Sequence, residues 1–157
     1  MTVPQIAKGG KFIFGKSLVR ENFSIHLPPQ AIREYQITAE GKVYLFTGSK
    51  STGGFCVTRK GLLYPSKIGN ILEQTPDLLN YELPQGSFVP YKGRFYCWIE
   101  ISPDGVLRLP AQTAALLQID QGIELLSIRS SNIAFTMGAK GPLITKADAY
   151  EGIIEVF

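Results

Sequence analysis

The chain repeats itself, and that constrains the fold more than any other feature. Leu27-Pro28-Pro29-Gln30 returns 82 residues later as Leu109-Pro110-Ala111-Gln112, and Ile37 and Ile119 keep the spacing. Upstream, Gly10-Lys11-Phe12 matches Gly93-Arg94-Phe95 at 83, and Gly41 matches Gly122 at 81. Phe55, Lys60, Gly61 and Leu63 match Phe135, Lys140, Gly141 and Leu143 at 80. The spacing drifts in small steps and the matches stay in order, as single-residue insertions in loops produce. Repeat one is read as 9–64 and repeat two as 92–146, with a proline-bearing connecting segment, 65–91, between them.

Each repeat has the same succession of elements. An apolar strand comes first (Phe12 to Val19, Phe95 to Ile101), then a polar turn, then an alternating strand. Period-two alternation puts Phe23, Ile25 and Leu27 on one face of the first copy, and Leu107 and Leu109 on one face of the second. Proline then stands where a helix starts, because its missing N–H costs nothing in the first turn. Two-turn helices are predicted over 29–35 and 111–117. A glycine-marked turn leads to a hairpin, Lys42–Thr47 with Phe55–Arg59, and Ile123–Ile128 with Ile133–Met137. One short helix is expected in 65–91, and a last strand over Gly152–Phe157.

This order resembles the SpoVT/AbrB swapped-hairpin family. Gly105-Val106-Leu107-Arg108-Leu109-Pro110 fits that family's strand ending in proline, followed by Leu117, Ile119 and Gly122. Leu27-Pro28, Tyr35, Ile37 and Gly41 fit in the first copy. The resemblance covers both repeats, about two-thirds of the chain. It implies a mainly β fold with short helices: a β-barrel in which two AbrB-like repeats interlock about a pseudo-two-fold axis, in an MraZ-like arrangement within one chain. About 55 residues bury too little apolar surface to stand comfortably alone, and exchanging hairpins covers strand edges. The domains are then 9–64, a basic half; 65–91; and 92–157, an acidic half with the C-terminal strand.

The resemblance further implies a DNA-binding transcriptional regulator that is not an enzyme. The family commonly carries an arginine directly after the turn glycine; Ser24 and Val106 stand at those positions here. Charge supports a polyanion partner on the first half. Residues 1–64 hold nine lysines and arginines against three glutamates, a net charge of +6, whereas 92–157 sums to −1. The candidate phosphate contacts are Lys11, Lys16, Arg20, Arg33 and Lys50, with Arg59 and Lys60. The partner is double-stranded DNA, alongside a protein partner or a second copy of the chain. The alternative is a barrel without DNA binding that takes a small ligand or a protein instead.

Other chemistry finds little footing. His26, the one histidine, shares a strand face with Ser24 without an acid partner or oxyanion motif, so a surface role is favoured over catalysis. Two separated cysteines, Cys56 and Cys97, make no zinc site and read as buried thiols. No cofactor or metal is expected. Gly48-Ser49-Lys50-Ser51-Thr52-Gly53-Gly54 has the composition of a phosphate loop but lacks the following helix, and reads as a flexible hairpin tip able to touch phosphate. Phe88, Tyr91, Phe95, Tyr96 and Trp98 read as core rather than as a stacking platform. No apolar run approaches a membrane span and no signal-peptide core is seen, which points to a cytoplasmic protein.

Overall fold

The computed structural model describes residues 5–7, 11–150 and 152–157. In chain order the elements are β1 (Gln5–Ala7), β2 (Lys11–Leu18), a 3-10 turn (Glu21–Phe23), β3 (Ser24–His26), α1 (Pro29–Tyr35), β4 (Lys42–Thr47) and β5 (Phe55–Thr58). Then follow α2 (Lys60–Leu63), α3 (Asn70–Gln74), α4 (Pro76–Leu79), β6 (Val89–Tyr91), β7 (Arg94–Glu100), β8 (Val106–Arg108), α5 (Ala111–Leu116), β9 (Glu124–Arg129), β10 (Phe135–Gly138) and α6 (Pro142–Asp148).

Local chemistry explains the short helices. Pro29 opens α1 and Pro110 precedes α5. Both helices end on a glutamine in the left-handed region, Gln36 at φ 49° and Gln118 at φ 58°. The next residue's N–H turns back onto the helix: Ile37 N donates to Ile32 O at 3.1 Å and Ile119 N to Ala114 O at 2.9 Å. That is a Schellman-type ending, with the isoleucine as its apolar contact.

The fold is mainly β. Eight antiparallel strands form one sheet in the order β1-β2-β9-β10-β5-β4-β7-β6, and β3 pairs with β8 in a separate ribbon. Among the described residues the sheet is not closed into the expected barrel: β1 and β6 are its edges. The ribbon lies across one face of the sheet; single bridges, Val19 with Ile25 and Ile101 with Leu107, join its backbone to the chain beyond β2 and β7, and Ser17 Oγ of β2 donates to His26 O at 2.6 Å. On that inner face Ile25, Leu27, Leu107 and Leu109 pack with Val43, Leu45, Phe55, Val57, Cys97, Ile99 and Phe135.

Alternation sends the intervening side chains to the outer face, which has two covers. Tyr44, Phe46, Tyr96 and Trp98 lie under the segment that carries α2, α3 and α4, with Leu63, Ile71, Leu72 and Leu78 buried against them. Trp98 Nε1 donates to Leu83 O at 2.7 Å and Tyr44 OH to Leu78 O at 3.1 Å, so each buried ring satisfies its polar atom. Ile13, Leu126 and Ile128 lie instead under Ala147 and Ile144 of α6.

Two expectations change, and one helix falls where none was expected. Residues 65–91 hold two short helices, not one. Residues 142–148 form a helix, with Pro142 at its first turn. Gly152–Phe157 makes no strand of its own: Val156 forms one parallel bridge to Lys16, with Lys16 N donating to Glu155 O and Phe157 N to Lys16 O.

Candidate functional site

The register places the expected basic residues at different ends of the sheet. β5 begins at Phe55, opposite Thr47, and ends at Thr58, opposite Tyr44. Lys50, in the loop before β5, is therefore at one end, and Arg59 and Lys60 are at the other. Three of the candidates are engaged within the protein. Lys16 Nζ lies 3.2 Å from Asp148 and 3.8 Å from Glu124. Arg59 donates to Glu40 Oε2 at 2.7 Å and to Tyr35 O at 3.1 Å. Lys60 Nζ lies 4.2 Å from the centre of the Tyr81 ring. Arg20, Arg33 and Lys50 are exposed. Lys11 begins β2, but its side chain lies outside the described residues.

At the Lys50 end, three loops adjoin because their strands are neighbours. The 48–54 loop joins β4 to β5, residues 139–141 leave β10, and the 92–93 turn enters β7. Ala139 N and Lys140 N both donate to Thr52 O, at 2.9 and 3.0 Å. Arg94 Nη1 donates to Thr47 O at 2.8 Å, and Phe95 N to Thr47 Oγ1 at 3.2 Å. The 48–54 loop is thus tied down rather than a flexible tip. Gly54, at φ +62°, seats it there; a side chain at that position would collide with the Met137 carbonyl. These loops bring together Lys50, Lys92, Arg94 and Lys140, and contain no aspartate or glutamate. Glu124 and Asp148, toward the β2 edge, are the partners of Lys16.

At the opposite end the cations meet carboxylates. Arg129 forms a two-armed ion pair with Glu34, Nε to Oε2 at 2.7 Å and Nη2 to Oε1. Arg59 holds Glu40, whose Oε2 also accepts the Gly61 N–H at 3.0 Å. Tyr35 OH donates to Ser131 O at 2.6 Å, and burial, reinforced by Glu34, pushes its phenol up to about 12.

Between the two covers of the outer face, Cys56 of β5 and Thr136 of β10 form the floor of a groove of about 440 Å³. Cys56 and Thr136 pair across the strands there, Sγ to Oγ1 at 3.4 Å, and Ser130 Oγ bonds the same Thr136 hydroxyl. Phe46 and Tyr96 form one wall, their rings stacked at 5.3 Å, and Arg94 stands at one mouth. Burial raises the Cys56 thiol; Thr136 and Arg94 oppose that shift without reversing it, so the sulfur is a poor nucleophile. Burial pushes Cys97 up to about 12.

His26 is exposed, and its strand pairs it with Val106, while Ser24 faces Arg108. Among the described residues no cluster of three metal-ligating side chains occurs, and no helix is long and apolar enough to cross a membrane. Of the aromatic set, Tyr96 and Trp98 are buried, whereas Phe95 is 42% exposed. The residues that sequence reasoning missed, Lys92, Arg94, Lys140 and the Cys56–Thr136 floor, are brought together by strand pairing between distant segments. No known protein family, characterised protein or solved structure matches this chain.

Proposed function

We propose that the chain is an internally duplicated swapped-hairpin domain, without catalytic activity, that binds double-stranded DNA through the loops at the Lys50 end of its sheet. Repeat one spans 9–64, the connecting segment 65–91, and repeat two 92–157.

The duplication is supported by the strand register. In the β3–β8 ribbon, Ser24 pairs with Arg108 and His26 with Val106. A shift of 82 residues exchanges these pairs about Ile25 and Leu107. Leu18 with Glu124 in β2–β9 becomes Glu100 with Lys42 in β7–β4 under the same shift. The β5–β10 pairs exchange about Cys56 and Thr136 under a shift of 80. Two of the steps in spacing have a place: the step to 83 falls at Phe14, where the β2–β9 register slips between Ile13 and Gly15, and the step to 80 falls in the hairpin loops, 48–54 against the shorter 130–134. Each hairpin lies beside strands of the other repeat, as exchange requires.

DNA binding rests on one observation, the gathering of Lys50, Lys92, Arg94 and Lys140 in adjoining loops that hold no carboxylate. Such a surface suits phosphates and reads no base sequence by itself. This interface draws on both repeats rather than on the basic first half alone. Fluorescence anisotropy with duplex DNA tests it. Binding that weakens steeply with salt and depends on these four side chains supports the reading; no binding at low salt removes it.

The second reading, a module that has given up DNA for a ligand or protein, is favoured by the internal engagement of Lys16, Arg59 and Lys60. Retention of the chain on heparin only below physiological salt, with no affinity for duplex DNA, is the outcome it expects.

A further inference from the structure

We infer that the groove over the β5–β10 strand pair is a binding site for a small organic anion with a flat apolar body, such as an aryl carboxylate. The groove adjoins the proposed DNA-binding loops, sharing Arg94 and the inner side of Ser49 and Thr52 with them, and runs from there toward Ser130 at the other end of the sheet.

Four observations carry this. The groove encloses about 440 Å³, within the range of small-molecule sites. It lies at the middle of the sheet, between the α2–α4 segment, which packs on Cys56 and Ala134 and sends Ile68 into the groove lining, and α6, which covers Ile13, Leu126 and Ile128. Its floor and far mouth are lined by neutral hydroxyl and thiol groups, Thr136, Cys56 and Ser130, and its wall by the stacked rings of Phe46 and Tyr96. Arg94 is the one formally charged residue in its lining, and no acid is present to neutralise it. One guanidinium N–H is bonded to Thr47 O, which fixes the group at the mouth; a planar fork of five donors has capacity left for a carboxylate. A ring lying against Phe46 and Tyr96 puts its carboxylate toward Arg94 and its far edge toward Ser130.

The test uses the full chain and two matched probes, 2-naphthoate and the neutral 2-naphthalenemethanol. Calorimetric titration gives the affinities, and backbone amide NMR gives the location. The expected result is a dissociation constant for naphthoate below about 1 mM, with the alcohol bound at least tenfold more weakly. The largest shifts are expected at Cys56 and Thr136. Arg94→Met should weaken naphthoate about tenfold or more and abolish the preference for the anion. Ser130→Phe should block both probes while leaving DNA binding unchanged, because Ser130 sits at the end of the sheet opposite Lys50. Equal affinity for the two probes, an Arg94→Met variant indistinguishable from the parent, shifts centred elsewhere, or no binding at low millimolar concentration would each overturn the inference. Should Ser130→Phe fail to fold, the Arg94→Met titration and the shift map still decide it. Naphthoate binding with no DNA binding rejects only the DNA reading; DNA binding without naphthoate rejects only this one.

Discussion

The two ends of the sheet are counterparts under the proposed duplication, and they differ in what their cations meet. At one end, the loop 130–134 is flanked by Arg129 and Arg59, each held by a glutamate of the α1 region, Glu34 and Glu40. At the other, Leu116 stands in the place of Glu34, and Gln121, before the Gly122 that matches Gly41, in that of Glu40, so Lys50, Lys92, Arg94 and Lys140 find no carboxylate in their own loops. Under that duplication Lys60 and Lys140 correspond: one lies over the Tyr81 ring, the other is exposed beside Gly53. The arginines of one end are held by glutamates, and the cations of the other lie in or beside loops without a carboxylate. Ion pairs at the first end contribute modestly to stability because they are only partly buried. Their larger effect is to cancel the field that the second end retains.

The comparison breaks most sharply under triple neutralisation. Lys50→Ala, Lys92→Ala and Lys140→Ala together should weaken duplex DNA binding on the order of a hundredfold or more at low salt, read by anisotropy. The matched change at the other end, Lys42→Ala with Lys60→Ala, should move it less than about threefold.

Transplanting a carboxylate is the next test. Leu116, 46% exposed, is the counterpart of Glu34. Leu116→Glu should lower DNA affinity about tenfold, as one added negative charge offsets about one cation contact, with an unfolding midpoint close to the parent's.

Alkaline titration separates the ends by stability. Cys97 and Tyr35 are each pushed up to about 12 by burial, above their ordinary values near 9 and 10. The fold favours their neutral forms, so the unfolded chain loses these protons first. Stability should be complete below about pH 9 and fall as pH rises toward 12. Cys97 belongs to the common core, whereas Tyr35 belongs to the paired end and its counterpart is Leu117. Tyr35→Phe should therefore flatten part of the loss in urea melts recorded across this range, at the cost of the bond to Ser131.

The smallest expected effect is at the ion pairs. Glu40→Gln should cost about 1 kcal/mol or less in chemical denaturation, and should raise DNA affinity about two- to threefold by releasing Arg59.

Much of the local structure was legible because its causes are local. Pro29 and Pro110 mark helix starts, Ile37 and Ile119 mark where the chain turns back, and period-two alternation locates Ile25 and Leu107 on the buried face. The α6 helix starts at a proline like α1, but 142–148 is too short to show a helical period. The open sheet could not be read, because closure depends on whether β1 and β6 meet, which no local pattern encodes. The candidate site was less legible for a related reason. Charge along the chain is redistributed by pairing between distant strands: Lys16 lies beside Asp148, and Lys50 beside the loops of Arg94 and Lys140. The groove floor joins Cys56 to Thr136, 80 residues apart. Neither residue is unusual in its own strand, and only their pairing makes a site.

The salt dependence of DNA binding tests the central claim most directly. Four phosphate contacts from Lys50, Lys92, Arg94 and Lys140 predict that log K falls against log salt with a slope of about −3 to −4. The triple alanine variant should keep only the Arg94 contact, with a slope of about −1. A parent slope near zero, or a triple variant with the parent's slope, would contradict the account and return the loops at this end to plain surface.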